Sequence, residues 1–418
     1  MSGSDRYEIK RIYSRIQTMS KQKIGVFGAS MLEWGGGIDL LKNIINALHY
    51  DPNSYELFLF VPVPGNDLKS RLKRTAQRIL GRSVFTGIDE NVVSNVKEEY
   101  PFLQVVKFVN SPEGLIQKVK ETGIELLFPC AYSMKDSFPI PWVSYVPDFQ
   151  HKYLPDFFTK EEIERRDVTI GKRVNDGDVL IVTSETAKED IHKYYPDCRK
   201  EICVIPFSPA PRQFWLNTEG SVLTKYNFPS GMKFFLISNQ FWIHKDHPCA
   251  FKALAELHKT TGYEDIHIIC TGATEDYRNP NYLNELNELN TSLGVKENIH
   301  FLGYIPKIDQ ILLMKESIAV IQPTLYEGSP GGGEIEDSVS LGKRSIVSDI
   351  PVNLEMEEDT VTFFRSGSAE DLAEKMKTIL DSPYTQPDKE TLISLGAQRQ
   401  KHYYDVLHAM IDALTVKD

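Results

Sequence analysis

No apolar run in the 418-residue chain reaches the roughly 18 residues needed to span a bilayer. The opening stretch, MSGSDRYEIKRIYSRIQTMSKQK, is polar and has no apolar core of a secretory signal. Cysteine is scarce: Cys130, Cys198, Cys203, Cys249 and Cys270 are odd in number and show no C-x-x-C spacing. That pattern argues against a disulfide scaffold and for reduced thiols in a cytoplasmic protein. No His or Cys cluster has metal-ligand spacing, so no metal is expected. Positive charge is in deficit: a net charge of −11 leaves no global field to draw nucleic acid. What remains is ordinary for a soluble globular protein, with 25% charged and 41% hydrophobic residues. The length predicts two domains.

Short apolar runs alternate with helix-period segments along the whole chain. The first half holds KIGVFG, ELFLFVP, VVKFV, LLFPC, WVSYVP, VLIVTS and ICVIP. The second holds FFLISN, IHIICTG, IHFLGY, IAVIQPT, RSIVSD and VTFFRS. Runs apolar on both faces mark parallel strands with helical crossovers. Two complete sets predict two doubly wound α/β domains, Rossmann-like, facing each other across a cleft. The proline-rich PFSPAPRQFW places the junction near residue 206. The expected domains are 1–206 and 207–387, with 388–418 a helical segment free to pack back on the N-terminal domain.

Ligands of open α/β sheets bind at the carboxyl ends of strands, so the loops after strands carry the argument. After the first strand, Gly35, Gly36 and Gly37 precede a helix whose Ile38, Leu41, Ile44, Ile45 and Leu48 share a face. G-x-G-x-x-G is missing here, and no acid closes the next strand, which argues against NAD or FAD. The glycines serve either a turn or a close backbone approach to phosphate or sugar. In the second domain the first strand leads into NQFWIHKDHPCAF. Asp246 is a candidate N-cap and Pro248 suits the first turn. Lys245 beside that helix start makes an anion site, in the company of Asn239 and Gln240.

EGSPGGGEIEDSVSLG, from Glu327 to Gly342, joins glycines and acids. Acids in a first helical turn complement the helix dipole, which accounts for some of Glu334, Glu336 and Asp337. Glu327 sits before the glycines and has no such reason. Carboxylates accept and cannot donate, so a ligand rich in hydroxyls satisfies them. The N–H groups of Gly331, Gly332 and Gly333 suit phosphate oxygens. A nucleotide sugar has both kinds of group. Asp176-Gly-Asp178 looks like a D-x-D metal site but precedes its strand, and it reads as a turn.

These residues resemble the family 4 glycosyltransferases, whose fold is GT-B. The resemblance is strongest from Ser238 to Asp349, through EGSPGGGEIED, SVSLG, IVSD and the preceding FLGYIP; KIGVFGA with its glycines and SYVPDFQHKYLPDFF add to it. Three positions depart from the family pattern. Asp337 stands ten positions after Glu327 instead of eight, Gln240 replaces a phosphate-binding arginine, and Pro147 replaces the histidine before Asp148. The resemblance implies a retaining, metal-independent transfer from a nucleotide sugar, UDP-glucose favoured, to a hydroxyl of a glycan or lipid-linked glycan. It implies a catalytic set of Asp148, Lys245, Glu334 and Glu336. The donor would meet Gly36, Gly37, Asn239, Gln240, Lys245, Gly303, Tyr304, Glu327, Gly331, Gly332, Gly333, Glu334 and Asp337, with His151 on the acceptor side. A nucleotide-sugar epimerase, a phosphorylase or a sugar-binding protein of the same fold are the competing readings.

One segment is basic in an acidic chain. LKSRLKRTAQRILGR, residues 68–82, contains no acid and aligns Leu68, Leu72, Ala76, Ile79 and Leu80. It reads either as a crossover helix or as a surface helix that holds the protein to an anionic membrane.

Overall fold

The computed structural model describes residues 21–29, 31–65, 86–134 and 137–415. The basic segment 68–82 lies outside the described residues. Every apolar run singled out above contains a strand. The first sheet holds β1 Gln22–Phe27, β2 Tyr55–Val63, β3 Gln104–Val109, β4 Leu126–Cys130, β5 Trp142–Tyr145, β6 Val179–Val182 and β7 Glu201–Val204, in the order β3-β2-β1-β4-β5-β6-β7. The second holds β8 Lys233–Ser238, β9 Ile266–Thr271, β10 Ile299–Gly303, β11 Val320–Gln322, β12 Ser345–Ser348 and β13 Val361–Phe364, in the order β10-β9-β8-β11-β12-β13. Neighbouring strands pair in parallel, as in β1 with β2 and β4, and β8 with β9 and β11. In each sheet the strand order reverses beside the first strand, which opens a ligand crevice at the carboxyl ends.

The side-chain period of two explains why these runs are strands. In β8, Phe235 and Ile237 enter one core with Ile268, Ile321 and Ile346. Phe234 and Leu236, one position off, enter a second core with Ile269, Val320 and Val347. Both faces are covered, so alternation gives way to continuous apolar sequence. Each such side chain contributes about 1.5–3 kcal/mol relative to exposure.

Some helices between strands start and stop at residues of the expected types. The helix Pro112–Thr122 begins where Ser111 Oγ accepts from Gly114 N at 3.0 Å and ends at Gly123, left-handed at φ 66°. Helix Gly35–Leu48 buries Leu41, Ile44, Ile45 and Leu48.

The chain divides into two compact units. One comprises 1–144, 176–178 and 408–418; the other comprises 145–175 and 179–407. In the first, the Tyr55 hydroxyl and His408 Nδ1 share a hydrogen bond that ties the end of the last helix, Lys389–Thr415, to β2. No helix among the described residues is long and apolar enough to cross a membrane.

Candidate functional site

β8 delivers Ser238 and Asn239 to its carboxyl end, and a one-turn helix, Ile243–Lys245, follows. Asp246 then steps into the left-handed region, at φ 47° and ψ 46°, before the helix His247–Leu257. It occupies the N-cap position without making a side-chain cap bond. Burial pushes its carboxyl up to about 6. The left-handed step turns the chain sharply between Lys245 and the helix.

The Lys245 turn is bolted on two sides. Leu325 N donates to His244 O at 2.8 Å and Thr324 Oγ1 does so at 3.2 Å, which joins it to the loop after β11. Ile243 N donates to Asp276 Oδ2 at 3.1 Å, which joins it to the loop after β9. Arg278 Nε donates to Asp276 Oδ1 at 2.9 Å, and its Nη2 lies 3.4 Å from His244 Nδ1. Burial, then Lys245 and Arg278, push the His244 imidazole down to about 2, so it stays neutral between two cations. Sequence reasoning missed Asp276 and Arg278. Their signal was position alone, in the loop TGATEDYRNP directly after a strand.

Lys245 Nζ is paired with Glu327 Oε1. The two side chains are only 11% and 12% exposed. Glu327 leads into the glycine run. Gly331 and Gly332 are left-handed, at φ 62° and 56°. A Cβ on Gly331 would come 2.6 Å from Ile335 Cβ, and one on Gly332 would come 3.4 Å from Glu327 Oε2. Two buried amides hold the Gly331 peptide: Gly331 N donates to Asn353 Oδ1 at 2.9 Å, and Gln322 Nε2 donates to Gly331 O. The Gly331 N–H is therefore already committed within the chain. The N–H groups of Gly333 and Glu334 follow in the first turn of the helix Gly332–Ser340, where a helix has no partners of its own.

Glu334 turns back from that first turn onto β8. Its Oε2 accepts from Ser238 N at 3.0 Å and its Oε1 from Asn239 Nδ2 at 2.8 Å. Burial raises its carboxyl to about 7, with Glu327 adding and Lys245, Asn239 and Ser238 opposing. Lys245, Glu327, Glu334, Asn239 and Gly332 thus form one cluster at the carboxyl ends of β8 and β11.

Glu336 and Asp337 have partners away from this cluster. Asp337 pairs with Lys307. Glu336 acts on the buried Tyr403 phenol, which burial first and Glu336 next push well up. The helix rotates about 100° per residue, so Glu336 points away from Glu334.

Other expected residues lie at neighbouring strand ends. Gly272, at φ 139°, packs so closely on Asn239 that a Cβ would sit 2.1 Å from Asn239 O. Gln240 lies between them and Trp242, whose N–H it accepts at 2.8 Å. Gly303 O accepts from Gly272 N at 2.8 Å, and Tyr304 after it is 87% exposed. Asp148 Oδ1 accepts from Gln150 N at 2.9 Å and from Arg166 Nη1 at 3.2 Å. A Cβ on Gly328 would fall 2.5 Å from Pro147 O and 3.1 Å from Asp148 Cβ, so Asp148 abuts the residue after Glu327. His151 is buried, with Nε2 2.8 Å from Asp167 Oδ1.

In the first unit, Gly36 and Gly37 lie close to Trp34 and Met31 of their own loop. A Cβ on Gly36 would lie 2.4 Å from the Trp34 ring, and one on Gly37 2.4 Å from Met31 O. Asp178 Oδ2 accepts from Trp142 N at 2.9 Å and Asp176 accepts from Ser133. Among the described residues, no group of three or more His, Cys, Asp or Glu is placed to hold a metal.

Residues 222–399 match the family of glycosyl transferases group 1. No match is found among curated proteins. In three dimensions the chain is similar to sucrose-phosphate synthase from Thermosynechococcus elongatus, at 14% identity and a TM-score of 0.61, covering 94% of this chain and 98% of that one. It is similar to a glycosyltransferase from Rickettsia africae, at 15% identity and TM-score 0.58, covering 95% and 98%. It is also similar to Anabaena HepE in complex with UDP and glucose, at 14% identity and TM-score 0.57, covering 95% and 100%. The chain therefore has the GT-B fold and carries a glycosyltransferase group 1 domain over residues 222–399.

Proposed function

We propose that the protein is a retaining glycosyltransferase that moves a hexosyl unit from a UDP-sugar, UDP-glucose favoured, to a hydroxyl of a glycan or lipid-linked glycan. The observation that carries this reading is the convergence of Lys245, Glu327, Glu334 and the glycine run at the ends of β8 and β11, inside the matched segment. The diphosphate would meet Lys245 and the first-turn N–H groups, which stabilise it as it leaves. Glu327 and Glu334 would accept from sugar or ribose hydroxyls. Tyr304, exposed at the end of β10, would border the base. The HepE structures with UDP and with UDP-glucose support the choice of donor. Retention of configuration and independence from metal rest on the family resemblance. Asp148, against Gly328, would join the catalytic set, and His151 would lie on the acceptor side, as the family resemblance implies.

The test is incubation with UDP-, GDP-, ADP- and dTDP-sugars, with and without EDTA, following release of free nucleotide. Thermal shift on the same panel reads binding directly, because a ligand at 100 times its dissociation constant adds about 2.7 kcal/mol. A larger shift with GDP overturns the choice of base.

A further inference from the structure

Lys245 and Glu327 hold each other, and Glu334 lies in the field of both. The Glu334 oxygens accept from Ser238 N and Asn239 Nδ2. The other end of that amide, Asn239 Oδ1, is buried without a hydrogen-bond partner. A half-turn of the Asn239 amide would present Oδ1 to Glu334, and only a carboxyl carrying a proton completes that bond. The Glu334–Asn239 hydrogen bond can therefore form in either protonation state. Ionised Glu334 accepts from Nδ2; protonated Glu334 donates to Oδ1.

We propose that a diphosphate donor draws Lys245 away from the two glutamates, and that Glu334 takes up one proton from solvent as the donor binds. The inference rests on the donor reading above. A nucleotide sugar brings two negative charges to a nearly buried site that holds two carboxylates and one lysine. A proton on Glu334 removes one of the four negative charges and leaves Glu327 to accept from hydroxyls. Once Lys245 is engaged, the only charge left facing Glu334 from another element among these groups is Glu327, which favours the proton, while the hydrogen bonds from Asn239 and Ser238 still oppose it. Glu327 comes from the loop after β11, and Cys270 on β9 is a buried neutral thiol, pushed well up by burial and then by Glu334. The Glu334 carboxyl already stands at about 7, with Lys245 the first of the groups that hold it down. Neutral, it becomes a hydrogen-bond donor inside the site.

The experiment is titration calorimetry of the full chain with UDP-glucose, GDP-mannose, ADP-glucose and dTDP-glucose, at pH 8, in buffers of differing ionisation enthalpy. The diphosphate diesters keep their charge throughout, so the ligand itself takes up no proton. The expected result is uptake approaching one proton per donor bound, with Kd weakening by up to about tenfold per pH unit from pH 7 to 9. In Glu334→Gln the uptake falls to zero and Kd is flat over that range. Binding by wild type without proton uptake, or equal uptake by Glu334→Gln, overturns the proposal and leaves the donor reading standing. Failure of all four donors to bind even at pH 6.5 overturns the donor reading and the proposal with it. The wild-type arm needs no variant, so a poorly folded Glu334→Gln does not spare the proposal.

Discussion

Lys245 donates to Glu327 across 82 positions of sequence, with both side chains nearly enclosed. On the proposed donor reading, Lys245 trades this carboxylate for a phosphate when the donor binds. Glu327→Gln should lower kcat/KM by roughly 30- to 150-fold, the equivalent of about 2–3 kcal/mol of transition-state binding. Steady-state rates on the best donor of the panel check this. Unchanged kcat/KM would remove Glu327 from the site.

Glu334 gives a pH signature of its own. Its carboxyl stands at about 7 in the folded chain, against an ordinary value of 4.5. Between those values the folded state keeps a proton that the unfolded state has lost, so stability falls as pH rises through that window. The deficit at pH 8 is on the order of 3 kcal/mol. Glu334→Gln removes it and offers Asn239 Oδ1 an N–H partner. The variant should melt higher than wild type at pH 8, with the gap closing by pH 4.5. Parallel melting curves across pH would contradict this.

Gly331 and Gly123 share a left-handed backbone but differ in surroundings. A Cβ at Gly331 meets Ile335 at 2.6 Å, whereas Gly123 has open space. Gly123→Ala should cost about 1 kcal/mol. Gly331→Ala should cost at least 2–3 kcal/mol more, through collision and displacement of the glycine run. Urea unfolding of the two variants measures the difference. Equal losses would mean that the loop yields freely.

The basic segment 68–82 predicts reversible binding to anionic vesicles, each basic residue near the surface contributing about 1 kcal/mol. Sedimentation with anionic and neutral vesicles at low and moderate salt checks it. Equal binding by wild type and by a variant with Arg71, Lys73, Arg74 and Arg78 changed to Gln would end the membrane reading.

The sheets were legible because parallel strands covered on both faces leave continuous apolar runs, as FFLIS does in β8. Lys245 and Glu327 were legible as polar residues just past such runs. Other parts of the site leave no such mark. Gln322 and Asn353 hold the Gly331 peptide from full burial, yet in sequence they are two ordinary polar residues. Asp276 and Arg278 act through Ile243 and His244, contacts that join loops more than 30 residues apart. Which acids face Lys245 depends on where the helix starts. It begins at Gly332, which turns Glu334 inward and sends Asp337 to Lys307.

Nucleotide release from UDP-glucose by wild type and by Lys245→Ala tests the central claim most directly. The account predicts slow release of UDP by wild type in the absence of acceptor, and its loss in the variant with the fold intact by circular dichroism. Equal release by both proteins, or no release by wild type from any nucleotide sugar, would contradict it.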